Sequence, residues 1–329
     1  MPASVSRQLS AFLMAWALSL ATSLAGASAS LRHVGRGKEF LAAILVAFAL
    51  QFALYWLFGF PLLRERLEAR FRRRNLILAV GLMLLVPYVI YGAGTGAFSA
   101  GALVKLIAIS SAVLGTYALF PPRSQKFSWQ DGAVLLMIAA PAYAGWYRDV
   151  WRAPAYLDVM ARLFVVPLGA FAVLSVRRLA DVGYVWRLEA GDWVEGAKQL
   201  ILFSVIGLPL GFFLRFIAWH PRNEGLPEFA FSFFGIFLFV AVAEELFFRG
   251  MLQNLLEKSL ASKYAARGIA SAVFGLSHIQ HGFPNWRYVL MAAVAGWFYG
   301  TAWHRRRSIV ASSVTHAAVD ALWRHFLHV

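Results

Sequence analysis

The chain predicts an all-α fold, a polytopic transmembrane helical bundle of about eleven spans. Three observations carry that prediction. Of 329 residues, 60% are hydrophobic and only 14% are charged, against roughly 25% charged in an ordinary soluble domain. The mean hydropathy is +0.63. Apolar runs of about 18 or more residues recur along the whole length, and they must be helices because open strands leave backbone groups unsatisfied in lipid. Cysteine is absent, which excludes disulfide frameworks, thiolate metal sites and cysteine nucleophiles, so any catalysis uses oxygen or imidazole. The formal charge of +15 invites a nucleic-acid reading. Those charges sit in short loops between apolar runs, so the expected partner is the lipid bilayer, with no nucleic acid.

Charged or Pro/Gly-rich breaks delimit the spans near 9–29, 40–60, 75–92, 100–120, 132–147 and 159–175, then 199–219, 228–255, 268–281, 287–303 and 308–326. The first ends at Ala27-Ser28-Ala29, which resembles a small-residue cleavage site and would leave ten spans if used. Its apolar stretch of about twenty residues exceeds the usual signal-peptide core, so retention is expected. The second leads into Arg64, Arg66, Arg70, Arg72, Arg73 and Arg74. With that stretch in the cytoplasm, nineteen basic residues fall inside and eight outside, with four within spans. The bias predicts the N-terminus in and the C-terminus out; the short Arg-rich loops fit a bacterial inner membrane.

Pro87, Pro141, Pro167 and Pro209 lie inside spans, where neighbouring groups re-satisfy the backbone. Lys105, Arg162 and Arg215 lie close enough to span ends to snorkel and read as anchors. The polar stretch at 176–198 makes the best domain boundary, separating an N-terminal transmembrane extension of unknown role, 1–194, from a core at 195–329.

Only the later spans carry ionisable residues deep and at helical spacing. Glu245 and Arg249 are four apart, the acid on the N-terminal side, which favours an ion pair and lowers the cost of burying both. Glu244, about 100° round the same helix, has no local partner and must face another helix, water or a substrate cavity. Phe274 and His278 are four apart on the next span, and His316 and Asp320 share a face of the last, where the Asp can fix the imidazole's orientation. At ~1.5 Å per residue, Glu244, His278 and His316 lie ~18, ~15 and ~12 Å from the cytoplasmic ends of their spans, one shared depth. His281, His304, His325 and His328 fall at loops or span ends. The bland alternative is structural glue, an interhelical hydrogen bond for each histidine and an ion pair for Glu245 and Arg249.

The ordered set Glu244-Glu245-xxx-Arg249, Phe274-xxx-His278 and His316-xxx-Asp320 resembles the CPBP family, also called Abi, of CAAX proteases and bacteriocin-processing enzymes. The resemblance covers about 195–329 and implies a glutamate-dependent intramembrane endopeptidase. It implies that Glu244, with His278, activates a water for attack on a peptide carbonyl. His316 would stabilise the oxyanion, and Glu245, Arg249 and Phe274 would support the site. Family members carry Asn or Asp where this chain has Asp320; an ionised Asp cannot donate to an oxyanion, so Asp320 is assigned to orienting His316. The implied substrate is a membrane-embedded or lipid-modified protein or peptide. No cofactor is favoured: zinc on Glu244, His278 and His316 is the alternative, but the usual HExxH helix is missing. Two other classes stay open. One is a non-catalytic scaffold or bacteriocin self-immunity factor on the same fold. The other is a proton-coupled carrier, against which the lack of an evident repeat counts.

Overall fold

The computed structural model describes residues 3–32, 38–148, 150–152, 158–186, 189–282 and 285–327. The side chains at 27–29 and His328 lie outside the described residues. Every regular element among the described residues is helical, and a helix stands at each place where a span is expected. Among the described residues, six helical segments are long and apolar enough to cross a membrane: Ser6–Gly26, Glu39–Leu57, Arg73–Thr95, Ala100–Leu119, Ala190–Phe213 and Leu226–Ser259. The other five expected spans fold as helices that are shorter or more polar.

The chain forms two compact units, Met1–Ser124 with Ser128–Leu179, and Gln125–Phe127 with Ala180–Val329. In the first, α1 (Ala3–Arg32), α2 (Lys38–Leu57) and α4 (Arg73–Thr95) pack in sequence, with the short α3 (Pro61–Arg70) carrying the arginine-rich turn. Then come α5 (Ala100–Leu119), α6 (Trp129–Tyr143), α7 (Asp158–Leu163) and α8 (Val165–Val176). Its buried charges are fully employed. Asp131 accepts from Arg177 Nε and the Tyr117 hydroxyl, each at 2.9 Å, while Arg177 Nη2 donates to Ser124 O at 2.7 Å. A buried carboxylate so satisfied is a structural tie.

The second unit contains α9 (Ala190–Phe213), α10 (Leu226–Ser259), α11 (Lys263–Leu276), α12 (Trp286–Arg306) and α13 (Ile309–Phe326). The units part after Leu179, inside the polar stretch and ahead of the boundary expected at 194/195. The physical reason is that the segment from Ala180 is held by this unit's helices. Asn254 Nδ2 donates to Ala180 O at 2.8 Å, Trp303 Nε1 to Val182 O at 3.1 Å and Ile309 N to Gly183 O at 3.0 Å. Lys258, at the end of α10, pairs at 2.7 Å with Asp181, which lies outside the helices, and holds that carboxyl below its ordinary range. Asp192, in the first turn of α9, accepts from Ser308 and Arg306 at 2.7 and 2.8 Å, anchoring the α12–α13 turn.

Gly183 is required here for two reasons. Its φ is +79°, and a Cβ would come within 2.7 Å of Arg307 O. Gly183→Ala is therefore expected to cost on the order of 1–3 kcal/mol, read as a lower unfolding temperature in detergent. Gly268→Ala is the control, since the nearest atom to its Cβ is Trp297 Cζ3 at 3.8 Å. Equal melting of the two variants would overturn the argument.

Candidate active site

Glu244 and Glu245 stand on α10 in the α-helical stretch Val242–Glu245, between π-helical turns at Phe237–Ala241 and Leu246–Gln253. A π turn inserts a residue into the helical register and is frequent at functional sites. Neighbours in sequence, the two carboxylates face different surroundings. The Glu245 side chain is 0% exposed and that of Glu244 is 34% exposed.

Glu245 is saturated with donors. Its Oε2 accepts from Arg249 Nε at 2.9 Å and from the Ser312 hydroxyl, and its Oε1 accepts from His316 Nδ1 at 2.8 Å. The Glu245–Arg249 pair expected from helical spacing is thus formed, and it is completely buried. The guanidinium also faces the rings of Phe274 and Tyr299, at 5.0 and 5.9 Å from their centroids, so π faces supply attraction where Nη1 and Nη2 have no hydrogen-bond partner among the described residues. Gly296 permits this close packing: a Cβ there would meet Phe274 Cδ1 at 3.0 Å and Arg249 Nη2 at 3.3 Å.

His316 is the centre of the constellation. Its ring lies on Tyr299, with centroids 4.6 Å apart and planes 13° off parallel, and Phe274 meets it edge-on at 5.7 Å. Nε2 faces Asp320 Oδ2 at 3.5 Å and Glu244 Oε2 at 3.9 Å. Asp320, expected to orient His316, thus faces Nε2, while Glu245 holds Nδ1 at 2.8 Å. The two differ in reach. The carboxylate across the bundle meets a ring nitrogen at hydrogen-bond length, whereas Asp320, one turn along the same helix, stays at the outer limit of that range.

His278 is not inside a helix, contrary to the expected span at 268–281. Helix α11 ends at Leu276, and His278 sits in the turn beyond, its backbone N bonded to Gly275 O at 3.0 Å. Two side chains compete for the carbonyl that would continue the helix. Ser277 Oγ donates to Phe274 O at 2.7 Å and His278 Nδ1 to the same oxygen at 2.9 Å. With Nδ1–H committed to a carbonyl, Nε2 is the nitrogen left for chemistry. His281 lies beside it, ring centroids 5.7 Å apart, whereas His304 and His325 pair with Glu257 and Glu224.

His278, His316 and Asp320 open onto one cavity of about 360 Å³. Phe274, Tyr288 and Tyr299 line the same end, and most of the rest is apolar wall from α9, α12, α13 and the segment between α9 and α10. Glu244 reaches the same imidazole from α10. Its Oε2 is buried and has no hydrogen-bond partner among the described residues. An acceptor left so is costly unless something else uses it.

Among the described residues no group of three or more His, Asp or Glu side chains, the expected alternative set Glu244, His278 and His316 included, is placed to hold an ion. Three participants were missed in the sequence. Ser312 had a signal, because Ser312, His316 and Asp320 recur every four residues on α13. Tyr288 and Tyr299 had none, since their roles arise from packing between helices.

Residues 226–322 match the family described as Rce1-like, type II CAAX prenyl endopeptidase. That segment spans α10 to α13 and contains all seven residues singled out in the sequence. No curated protein matches the chain, and no solved structure does.

Proposed function

Taking residues 226–322 as a CPBP-type, Rce1-like segment, we propose that the chain is an intramembrane endopeptidase that hydrolyses a peptide bond in a membrane-associated or lipid-modified protein or peptide. The observation that carries this reading is the Glu244 carboxylate. It has a buried oxygen with no hydrogen-bond partner among the described residues, 3.9 Å from an imidazole that three other elements hold in place. Glue would have satisfied that oxygen.

In the proposed reaction a water lies between Glu244 and His278 Nε2. Glu244 takes its proton as the water oxygen attacks the peptide carbonyl carbon, work that general bases accelerate by about 10²–10⁴-fold. The carbonyl oxygen becomes an oxyanion. A carboxylate oxygen only accepts, so His316 Nδ1 carries a proton toward Glu245; with its second proton, Nε2–H is the donor to the oxyanion. As the C–N bond breaks, Glu244 returns its proton to the leaving amine, giving a free amine and a new carboxylic acid that loses its proton to water. Glu245, in place of Asp320, orients His316. Asp320 balances the charge on the far side of the ring. No step is routed through a metal, so hydrolysis is expected to survive EDTA and 1,10-phenanthroline at concentrations that silence a zinc protease assayed in parallel. Loss of activity reversed by added zinc would overturn that expectation.

The membrane placement belongs to the same proposal. The eleven-span arrangement, with the N-terminus in and the C-terminus out of a bacterial inner membrane, puts Glu244, His278 and His316 at one depth. The deciding experiment compares membranes from cells carrying wild-type protein or Glu244→Ala at equal abundance, scoring native protein C-termini by mass spectrometry. Precursors that accumulate only with the variant support proteolysis and identify the substrate. Unchanged termini, where the variant also rescues a deletion phenotype, would sink the protease reading in favour of a non-catalytic membrane factor.

A further inference from the structure

The hydrogen-bond contacts of the His278 ring among the described residues are both at Nδ1, which lies 2.9 Å from Phe274 O and 3.1 Å from Ser277 Oγ. Contacts at one ring nitrogen set where that edge of the ring sits but leave its plane able to tilt about it, and the direction of Nε2 with it. The plane is set by Tyr288. The two rings are 5.2 Å apart between centroids and 14° from parallel, and Phe274 meets His278 edge-on at 4.8 Å. Both geometries lie in the favourable range for aromatic pairs.

Tyr288 is itself held from three directions. Its backbone N donates to Asn285 Oδ1, the N-cap of α12, at 3.1 Å. Phe216, between α9 and α10, meets its ring edge-on at 5.4 Å and 81°, and Trp323 of α13 does so at 5.4 Å and 82°. The far histidine, His281, also lies parallel to it at 5.0 Å. Its hydroxyl makes no hydrogen bond among the described residues, so the ring is the part under restraint.

We propose that Tyr288 is a positioning residue for the hydrolysis argued above: its aromatic face, clamped between Phe216 and Trp323, fixes the plane of His278 and so the direction of Nε2. This rests on the reading of the site as a protease and adds a residue outside the three sequence motifs. An imidazole that holds the attacking water in the wrong direction loses rate while substrate still binds, because orientation enters the barrier to the chemical step.

The test uses the full chain in nanodiscs with three variants. Tyr288→Phe keeps the ring and is expected within 2-fold of wild type in kcat. Tyr288→Leu removes the plate and is expected to lower kcat by roughly 10-fold or more with KM within 2-fold. Tyr288→Trp, which restores an aromatic face, is expected to recover part of the loss. A cavity-lining role alone would raise KM at constant kcat in Tyr288→Leu and would overturn the proposal, as would a loss in Tyr288→Phe equal to that in Tyr288→Leu. A second readout is independent of turnover: with ¹³Cε1-labelled histidine, the His278 signal, assigned by its absence in His278→Asn, should move in Tyr288→Leu and stay in Tyr288→Phe. A signal indifferent to Tyr288→Leu overturns the proposal whatever the activity. Equal activity of wild type and Glu244→Ala would instead overturn the protease reading, so the two failures are distinguishable.

Discussion

Glu244→Gln is expected to abolish peptide-bond hydrolysis while the protein inserts and accumulates as wild type. The loss should be about 10³-fold in kcat, within the range a general base supplies, with KM little changed. The carboxamide has nearly the size of the carboxylate but cannot take the water's proton. Glu244 is also the acidic residue here whose replacement should least disturb the fold: its Oε2 has no hydrogen-bond partner among the described residues, and its side chain is partly exposed. Asp320→Asn should cost less, because Asp320 stands 3.5 Å from a ring that Glu245 already holds at 2.8 Å. The measurement is cleavage of the native precursor by purified protein in nanodiscs, with products read by mass spectrometry. A Glu244→Gln rate within 10-fold of wild type would sink the assignment of the base.

What was legible in the sequence was what a single helix determines. Helical spacing placed Glu245 against Arg249, and the pair is there at 2.9 Å. It put Phe274 and His278 together, although the bond joins the His278 ring to the Phe274 carbonyl and ends the helix. It also put His316 beside Asp320, but spacing says nothing of a stronger partner on another helix. The contact of Glu245 with His316 joins residues 71 apart in the chain, and it depends on how α10 and α13 pack. The same holds for Tyr299 under His316 and Tyr288 over His278. Composition marks such residues only as apolar wall. The same limit applies to the stretch at 176–198. It reads as a polar surface segment, and composition does not show that the carbonyls of Ala180, Val182 and Gly183 are the acceptors that Asn254, Trp303 and Ile309 use.

Glu245→Ala should have the opposite character to Glu244→Gln, a failure of the fold before any failure of chemistry. Both members of the Glu245–Arg249 pair are 0% exposed. Removing the acid leaves a buried guanidinium whose Nη1 and Nη2 already have no hydrogen-bond partner among the described residues, and it strips Ser312 and His316 of their shared acceptor. Breaking one side of a buried pair costs about 3–5 kcal/mol, a large part of the 5–15 kcal/mol that typically holds a domain together. Glu245→Ala is therefore expected to melt far below wild type in detergent, followed by tryptophan fluorescence, and to accumulate poorly in cells. Adding Arg249→Leu removes the stranded charge, and replacing a whole buried pair by apolar groups is often near neutral. The double variant should regain most of the lost stability. It should not regain activity, because His316 would still lack the acceptor on Nδ1 that aims Nε2 at the oxyanion. Wild-type melting of Glu245→Ala would show that the pair holds nothing together. A double variant as active as wild type would remove Glu245 from the mechanism and return the orienting role to Asp320.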